Sequence, residues 1–186
     1  MTILKELTWD NHKKAETTPF MKRLAKKELS PKEYYTFLAN QYMMYQALED
    51  AGDAIDLFDD MDSIKRVVAI DADLRELETE HKFDYAKMTN SAVDYIKHIK
   101  SISEDREKLI AHCYVRYFGD LSGGQILKRL VPGSAVCYDF DDVGMLKSKL
   151  GSMLKDSMAD EANLCFEMMT AFLIELEERS KDGSLE

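Results

Sequence analysis

Helix-starting signals recur along this 186-residue chain, and residues that break helices are rare between them. The clearest signal is Ser30-Pro31-Lys32-Glu33, where proline suits the first helical position and Ser30 can form a capping box with Glu33. Only 8 glycines and 3 prolines occur in the whole chain. The alternation of strands and helices that is typical of a nucleotide-binding sheet is not found in this pattern. The sequence therefore predicts an all-α protein with a single domain.

Caps and apolar spacing predict eight helices. In chain order they cover about 3–15, 19–27, 31–57, 63–80, 91–102, 104–131, 143–157 and 160–179. Ser91 and Ser103 are the predicted caps of the fifth and sixth helices, and Pro132-Gly133 ends the sixth. We expect residues 1–180 to form the domain and residues 181–186 to form a frayed polar tail.

The charge balance limits the classes of partner. The chain carries 35 acidic and 25 basic residues, a net charge of −10, which disfavours nonspecific binding to nucleic acid or anionic lipid. No apolar run approaches the roughly 20 residues that span a bilayer, and the first residues lack the apolar stretch of a signal peptide. We therefore expect a cytoplasmic protein without a membrane partner. Cys113, Cys137 and Cys165 are widely spaced and are expected to be small buried apolar residues.

The sixth predicted helix holds three of the glycines, each of which costs about 1 kcal/mol relative to alanine. Gly119, Gly123 and, at the edge, Gly124 share one side of the helix with Arg116 and Asp120. One interpretation is close packing of a neighbouring helix. The other is a flat ligand lying against bare backbone, with the helix free to kink at the paired glycines. Spacing alone does not decide between them, but an acid on a buried helix face favours a functional role.

Two segments carry a resemblance to a known family. Residues 111–128 contain Tyr-x-Arg-Tyr-x-Gly-Asp-Leu-Ser-Gly-Gly-Gln, which resembles the signature of the biliverdin-forming heme oxygenases. Leu4-Lys5-Glu6, residues 11–16 and Phe20-Met21 resemble the proximal segment of that family in order and spacing. The resemblance implies a single-domain helix bundle that holds heme between the first, proximal helix and the glycine-rich, kinked distal helix.

The resemblance assigns the proximal roles. His12 would be the axial ligand of the heme iron, and Glu16, one turn later, would bind the second ring nitrogen and orient the ring. Chemistry supports this pair, because a neutral imidazole binds iron through one nitrogen and needs an acceptor for the other. Lys5 matches a position that pairs with a heme propionate.

The distal roles also follow from the resemblance. Asp120 matches an aspartate that holds a water network around O2, and a carboxylate acting through water can deliver protons without ligating the metal. Arg116 and Tyr45 would belong to the same network. Gly119 and Gly123 would touch the heme plane and bend the bound oxygen toward a ring edge.

Further heme contacts are implied at Gly124, at Tyr114 on the propionate side and at Phe172. For Tyr45 and Tyr114, core packing is an equally good interpretation.

The chain departs from the family in two places. Glu175 stands where many members carry an asparagine of the polar network. The basic pair that anchors propionates is not cleanly reproduced, and Lys147 and Lys149 are the nearest candidates.

The implied reaction converts heme b, which is both substrate and prosthetic group, and O2 to biliverdin, CO and ferrous iron. The sequence has no flavin or nicotinamide motif, so the electrons would come from a partner protein. We expect a ferredoxin, and a bilin reductase is a candidate consumer of the product. The candidate docking residues are Lys13, Lys14, Lys22, Arg23, Lys26 and Lys27.

Two alternatives remain open from the sequence. One is a heme-storage protein on the same fold, although storage has no use for the proton-handling Asp120. The other is a di-iron protein that uses Glu78-Thr79-Glu80-His81, a Glu-x-x-His unit, with Asp94 and His98 as further ligands.

Overall fold

The computed structural model describes residues 3–185, and all regular structure in that range is helical. The helices are α1 (Leu4–Glu16), α2 (Pro19–Ala25), α3 (Pro31–Asp53), α4 (Val67–His81), α5 (Asn90–Ser101), α6 (Arg106–Leu127), α7 (Val143–Met153) and α8 (Ala159–Lys181). Short 3-10 turns occupy Asp62–Ile64, Val136–Tyr138 and Asp156–Met158. The all-α prediction is confirmed. None of the helices in this range is long and apolar enough to cross a bilayer.

Helix α8 lies at the centre of the bundle and packs against α1, α2, α5 and α6. Helix α3 packs on α4, α5 and α6 from the other side, and one hydrophobic core runs between these helices. The three cysteines are buried in that core, as expected from their spacing. This arrangement leaves α1, α3, α6 and α8 around a common interior space.

The capping box predicted at the start of α3 is present. The Ser30 hydroxyl accepts from the Glu33 amide at 3.2 Å, and the Glu33 carboxylate accepts from the Ser30 amide at 2.7 Å. Glu33 also forms an ion pair with Arg23 of α2 at 2.6 Å. Arg23 reaches Glu177 of α8 at 3.2 Å, so one guanidinium joins three helices.

Helix α3 ends at Asp53, before the predicted end near Leu57. The chain turns there through Asp56, whose φ is 53°, and buries Leu57 and Phe58 in the core. A Cβ on Gly52 would lie 2.2 Å from Phe58 Cε2. Glycine at this position therefore lets the phenyl ring pack directly on the end of the helix.

Helix α4 begins at Val67, although the sequence predicted a start at Ser63. The cap comes from α3, because the buried Glu49 carboxylate accepts from the amides of Arg66 at 2.6 Å and Val67 at 3.3 Å. Tyr117 of α6 donates to the same oxygen at 3.1 Å. Burial raises the pKa of Glu49 above its ordinary value. The start of α4 is therefore set by a residue of another helix.

The predicted cap of α5 at Ser91 is wrong, because Thr89 caps the helix. The Thr89 hydroxyl accepts from the Ala92 amide at 3.1 Å. Ser91 instead donates from both its amide and its hydroxyl to Glu175, which also binds Arg179. Burial raises the pKa of Glu175, but hydrogen bonds, chiefly those from Ser91, outweigh burial and lower this pKa below its ordinary value. Glu175, the residue that stands where many members of the family carry an asparagine, therefore holds the start of α5.

The predicted cap of α6 at Ser103 is likewise wrong. Asp105 caps this helix, and its carboxylate accepts from the Lys108 amide at 3.1 Å. The helix continues through Gly119, Gly123 and Gly124 and ends at Leu127, before the predicted end at Val131.

Asp142 caps α7 by accepting from the Met145 amide at 3.0 Å. This helix ends at Met153, before the predicted end near 157. Helix α8 extends to Lys181, and Leu185 after it is buried in the core. The division between a domain over residues 1–180 and a polar tail over 181–186 stays a prediction.

Candidate active site

A cavity of about 370 Å³ lies between α1, α3, α6 and α8. Its wall is mostly apolar and includes Met21, Phe37, Leu38, Ile70, Val115, Phe166, Met169, Phe172 and Leu173. The polar part of the wall consists of His12, Glu16, Gln41, Tyr45, Arg66, Arg116 and Asp120. A large apolar pocket with a few convergent polar groups is the usual form of a small-molecule site.

On the α1 side of the cavity, His12 is held in place by three neighbours. Its ring stacks on Trp9 at 5.2 Å and meets Phe166 edge-on at 5.5 Å. Nε2 lies 3.3 Å from the Glu16 carboxylate, so the expected contact between His12 and Glu16 is present. Nδ1 is buried and has no hydrogen-bond partner in the protein. The imidazole is therefore held in one orientation, and its Nδ1 is available to bind a ligand.

On the α6 side, Gly119 and Gly123 line the cavity. A Cβ added to either residue would meet nothing within 4 Å. Of the two interpretations of the glycine stripe, close helix packing is thus wrong for this pair, and exposed backbone beside a cavity is right. Gly124 differs, because its Cβ would lie 3.1 Å from the Tyr138 ring. Gly124 packs against Tyr138, a residue of the cavity wall, and does not itself line the cavity, so its role as a cofactor contact stays a prediction.

Helices α1 and α6 meet at Thr8 and Tyr114, whose hydroxyls are 3.3 Å apart. Tyr114 also packs on Phe118, with ring centroids 5.7 Å apart. The tyrosine lies outside the cavity wall, which supports the core-packing interpretation for this residue and not the expected propionate contact.

The polar corner of the cavity is built by α3 and α6. The Tyr45 hydroxyl donates to Asp120 Oδ2. The Arg116 guanidinium lies 4.2 Å from the centre of the Tyr45 ring and donates to Gln41. Burial raises the pKa of Asp120 above its ordinary value, and the Tyr45 hydroxyl and Arg116 oppose that shift. A carboxyl group in this position can hold water and exchange protons with it.

The three lysines expected to anchor propionates are not brought to the cavity. Lys5 is exposed, with its ammonium 5.7 Å from the centre of the Trp9 ring. Lys149 donates to the Asp60 carbonyl, and Lys147 lies on the same helix, α7. Helix α7 does not contribute to the cavity wall. The anchoring roles of these lysines stay predictions.

Phe172 lines the cavity as expected and stacks on Phe37, with ring centroids 5.9 Å apart.

Sequence reasoning missed Phe37, Gln41 and Arg66 as wall residues. A signal existed for the first two, since they precede Tyr45 on the same helix at four-residue spacing. Arg66 lies in a connection, where no periodic pattern could point to it.

The Glu-x-x-His unit considered as a di-iron motif has structural partners. Glu78 accepts from the Tyr35 hydroxyl at 2.8 Å, and the His81 ring stacks on Phe83 with centroids 5.2 Å apart. Both residues therefore support packing beside α3, and Asp94 pairs with Lys97 on α5.

The fold and the cavity define a class of helical protein that can take a planar, largely apolar ligand between two of its helices. Comparison with known proteins gives the family. The heme oxygenase family model matches residues 1–145. The heme oxygenase of Guillardia theta is 31% identical in an alignment of 203 positions that covers 94% of this chain and 84% of that protein. The chain belongs to the heme oxygenase family.

Solved structures agree with this assignment. The structure of heme oxygenase-1 from the cyanobacterium Synechocystis in complex with heme superimposes with a TM-score of 0.83 at 25% identity, covering 97% of this chain and 93% of that one. Heme oxygenase-2 from Synechocystis in complex with heme and NO gives a TM-score of 0.83 at 29% identity, covering 97% and 86%.

Proposed function

We propose that the cavity binds heme and that this chain cleaves the porphyrin oxidatively, converting heme and O2 to biliverdin, CO and ferrous iron with electrons from an external donor. One observation carries the proposal: His12, with its unpartnered ring nitrogen, and the bare backbone of Gly119 and Gly123 line the same apolar cavity.

The residues present fit heme. The buried Nδ1 of His12 lacks a hydrogen-bond partner within the protein, and a metal ion could bind this nitrogen. The space beside Gly119 and Gly123 is open, so a flat ring can approach the helix backbone closely. We infer that His12 holds the iron and that Glu16 orients the imidazole. The heme iron would supply the site at which O2 is bound and reduced.

The polar corner would manage water and protons. Tyr45 occupies Asp120 Oδ2, which leaves Oδ1 to bind water in the cavity. Arg116, packed over the Tyr45 ring and bound to Gln41, holds the tyrosine in place. Asp120 would then pass protons through water to the reacting ligand without contacting the metal.

Filling the space beside α6 should block the ligand without harming the fold. We expect Gly119→Leu to fold as stably as the wild type or more so, because glycine costs about 1 kcal/mol in a helix. It should weaken hemin binding strongly, because the new side chain occupies the cavity. Hemin titration followed by Soret absorbance measures the affinity, and thermal unfolding measures the stability. Ser122→Leu, which is exposed on the same helix, is the matched control and should bind hemin normally. Normal binding by Gly119→Leu would show that the ligand lies elsewhere.

Spectroscopy with hemin tests the proposed reaction. We expect a Soret band when hemin is added, followed by its decay into a biliverdin spectrum when ascorbate is supplied under air. The heme-storage alternative predicts a stable complex under the same conditions. An intact Soret band after prolonged reduction in air would therefore rule out the oxygenase.

We further propose a ferredoxin as the electron donor and a bilin reductase as the consumer of biliverdin. The proposed docking surface consists of Lys22, Lys26 and Lys27, which are exposed on and just after α2, beside Met21 in the cavity wall. Arg23 is not included, because it is engaged with Glu33 and Glu177. Lys13 and Lys14, the other two candidates, lie on α1, where they interact with Asp10 and Asn11. A cytoplasmic location remains a prediction from the sequence.

Charge reversal tests this surface. The double variant Lys22→Glu, Lys26→Glu should slow reduction by ferredoxin by about tenfold or more at low salt, because electrostatic steering is lost. Reduction by ascorbate should not change. Lys97→Glu with Lys100→Glu makes the same charge change on α5 and should leave both rates unaltered. An unchanged ferredoxin rate in the α2 variant would contradict the docking surface.

A further inference from the structure

A second set of metal-binding side chains lies outside the heme cavity, where α5, α6 and α8 meet. Each helix contributes one residue: His98, His112 and Glu161. One ligand atom from each lies within 4.8 Å of the others. None of the three lines the proposed heme cavity. The cluster is therefore a separate feature of the fold.

The two histidines converge on one carboxylate oxygen. Nε2 of His98 lies 2.5 Å from Glu161 Oε1, and Nε2 of His112 lies 3.0 Å from the same atom. The two imidazole rings are 5.4 Å apart at their centroids. His112 is fully buried, whereas the side chains of His98 and Glu161 are 21% and 12% exposed. The cluster is thus closed on its inner side and open to solvent on its outer side.

The surroundings prepare His112 to bind a metal. Its Nδ1 lies 3.2 Å from the hydroxyl of the buried Tyr95, so that a proton on Nδ1 has an acceptor and Nε2 points at the cluster. A neutral imidazole and an ionised carboxylate are the forms that metals require.

We propose that His98, His112 and Glu161 bind one divalent transition-metal ion. Two histidines and one carboxylate form a donor set that suits Zn²⁺ or Fe²⁺, with water completing the coordination from the open side. Ligands about 2.1 Å from a tetrahedral ion are separated by about 3.4 Å. The nitrogens of His98 and His112, now 2.5 and 3.0 Å from Glu161 Oε1, therefore need to move away from it by about 0.9 and 0.4 Å. Each neutral imidazole would bind the ion through Nε2 and carry its single proton on Nδ1, so any proton now on Nε2 moves to Nδ1 by exchange with solvent.

One cation competes for this site. The ammonium of Lys108 lies 3.9 Å from Glu161 Oε2 and is about half exposed. Its long side chain can swing into solvent when a metal binds, but its charge repels the incoming ion. Removing that charge should therefore strengthen metal binding, which gives the proposal a gain-of-affinity test.

The test is metal titration of the full chain after treatment with a chelator. Calorimetry with Zn²⁺ should show one equivalent bound, and Co²⁺ should give the visible absorption of a low-symmetry site. We expect His98→Gln and Glu161→Gln each to lower the affinity by more than about 100-fold, since losing an outer-sphere partner alone costs 10- to 100-fold. Lys108→Met should bind a few-fold more tightly, a result that misfolding cannot produce.

Two controls locate the ion. His81→Gln removes a histidine that stacks on Phe83 and lies 3.9 Å from Glu80, away from the cluster, and should bind Zn²⁺ like the wild type. His12→Ala should also keep the zinc stoichiometry, because its histidine belongs to the other cavity. The proposal is overturned if the wild type takes up no stoichiometric metal, or if His98→Gln binds it as tightly as the wild type. Loss of binding in His12→Ala alone would place the ion in the heme cavity and would equally overturn it.

Discussion

Heme turnover is expected to be lost when His12 is replaced by alanine, while the protein stays folded. His12 is the proposed ligand of the heme iron, and removing it should lower turnover by at least about 100-fold. The fold should tolerate the change because the side chain is 34% exposed and makes ring contacts with Trp9 and Phe166 and one polar contact with Glu16. The visible spectrum of the hemin complex and the rate of biliverdin formation measure the effect.

Two companion experiments sharpen this result. Added imidazole should restore part of the normal spectrum of His12→Ala, since the cavity left by the side chain can accept it. Glu16→Ala should retain iron ligation but weaken it by about 10- to 100-fold, because the ring loses the acceptor that orients it. Wild-type turnover by His12→Ala would mean that another residue holds the iron.

Asp120→Asn is expected to bind hemin normally but to lose about 10²- to 10⁴-fold in ring-opening rate. The amide can still accept from Tyr45, so the polar corner keeps its shape, but it cannot carry a proton. Biliverdin formation measured at equal heme occupancy separates this defect from a binding defect. Asp120→Asn turning over at the wild-type rate would remove the carboxylate from the mechanism.

Asp120→Asn should also change how the unfolding temperature depends on pH. Burial raises the pKa of Asp120 in the folded protein, so its ionisation reduces stability as the pH rises above the pKa of an unfolded aspartate. Asp120→Asn should therefore unfold at the same temperature as the wild type or higher near neutral pH. This difference should shrink as the pH falls below the ordinary range of an aspartate.

Features encoded by neighbouring residues could be predicted from the sequence. The capping box of Ser30 and Glu33 and the contact between His12 and Glu16 each depend on residues within one helical turn. The start of α4 could not be predicted, because its cap, Glu49, comes from another helix. The start of α5 was misassigned for a related reason: Asn40 of α3 accepts from the Thr89 amide at 2.8 Å and fixes Thr89 as the cap.

The candidate site shows the same limit. The sequence identified Gly119, Gly123 and Gly124 as unusual, but which of them faces a cavity depends on the elements packed against α6. Tyr138 covers Gly124, and nothing covers the other two. The direction of a surface lysine is set in the same way, as Lys149 shows by binding a carbonyl of a distant loop.

The ion pairs of Arg23 have a consequence for association with other proteins. Helix α2 has only seven residues, too few to be stable alone, yet the guanidinium fastens it to α3 and α8 through two carboxylates. The lysines on and beside α2 therefore project from backbone that is already ordered. A partner that docks on them loses less conformational entropy than it would on a mobile segment, so a brief, low-area encounter can still be specific.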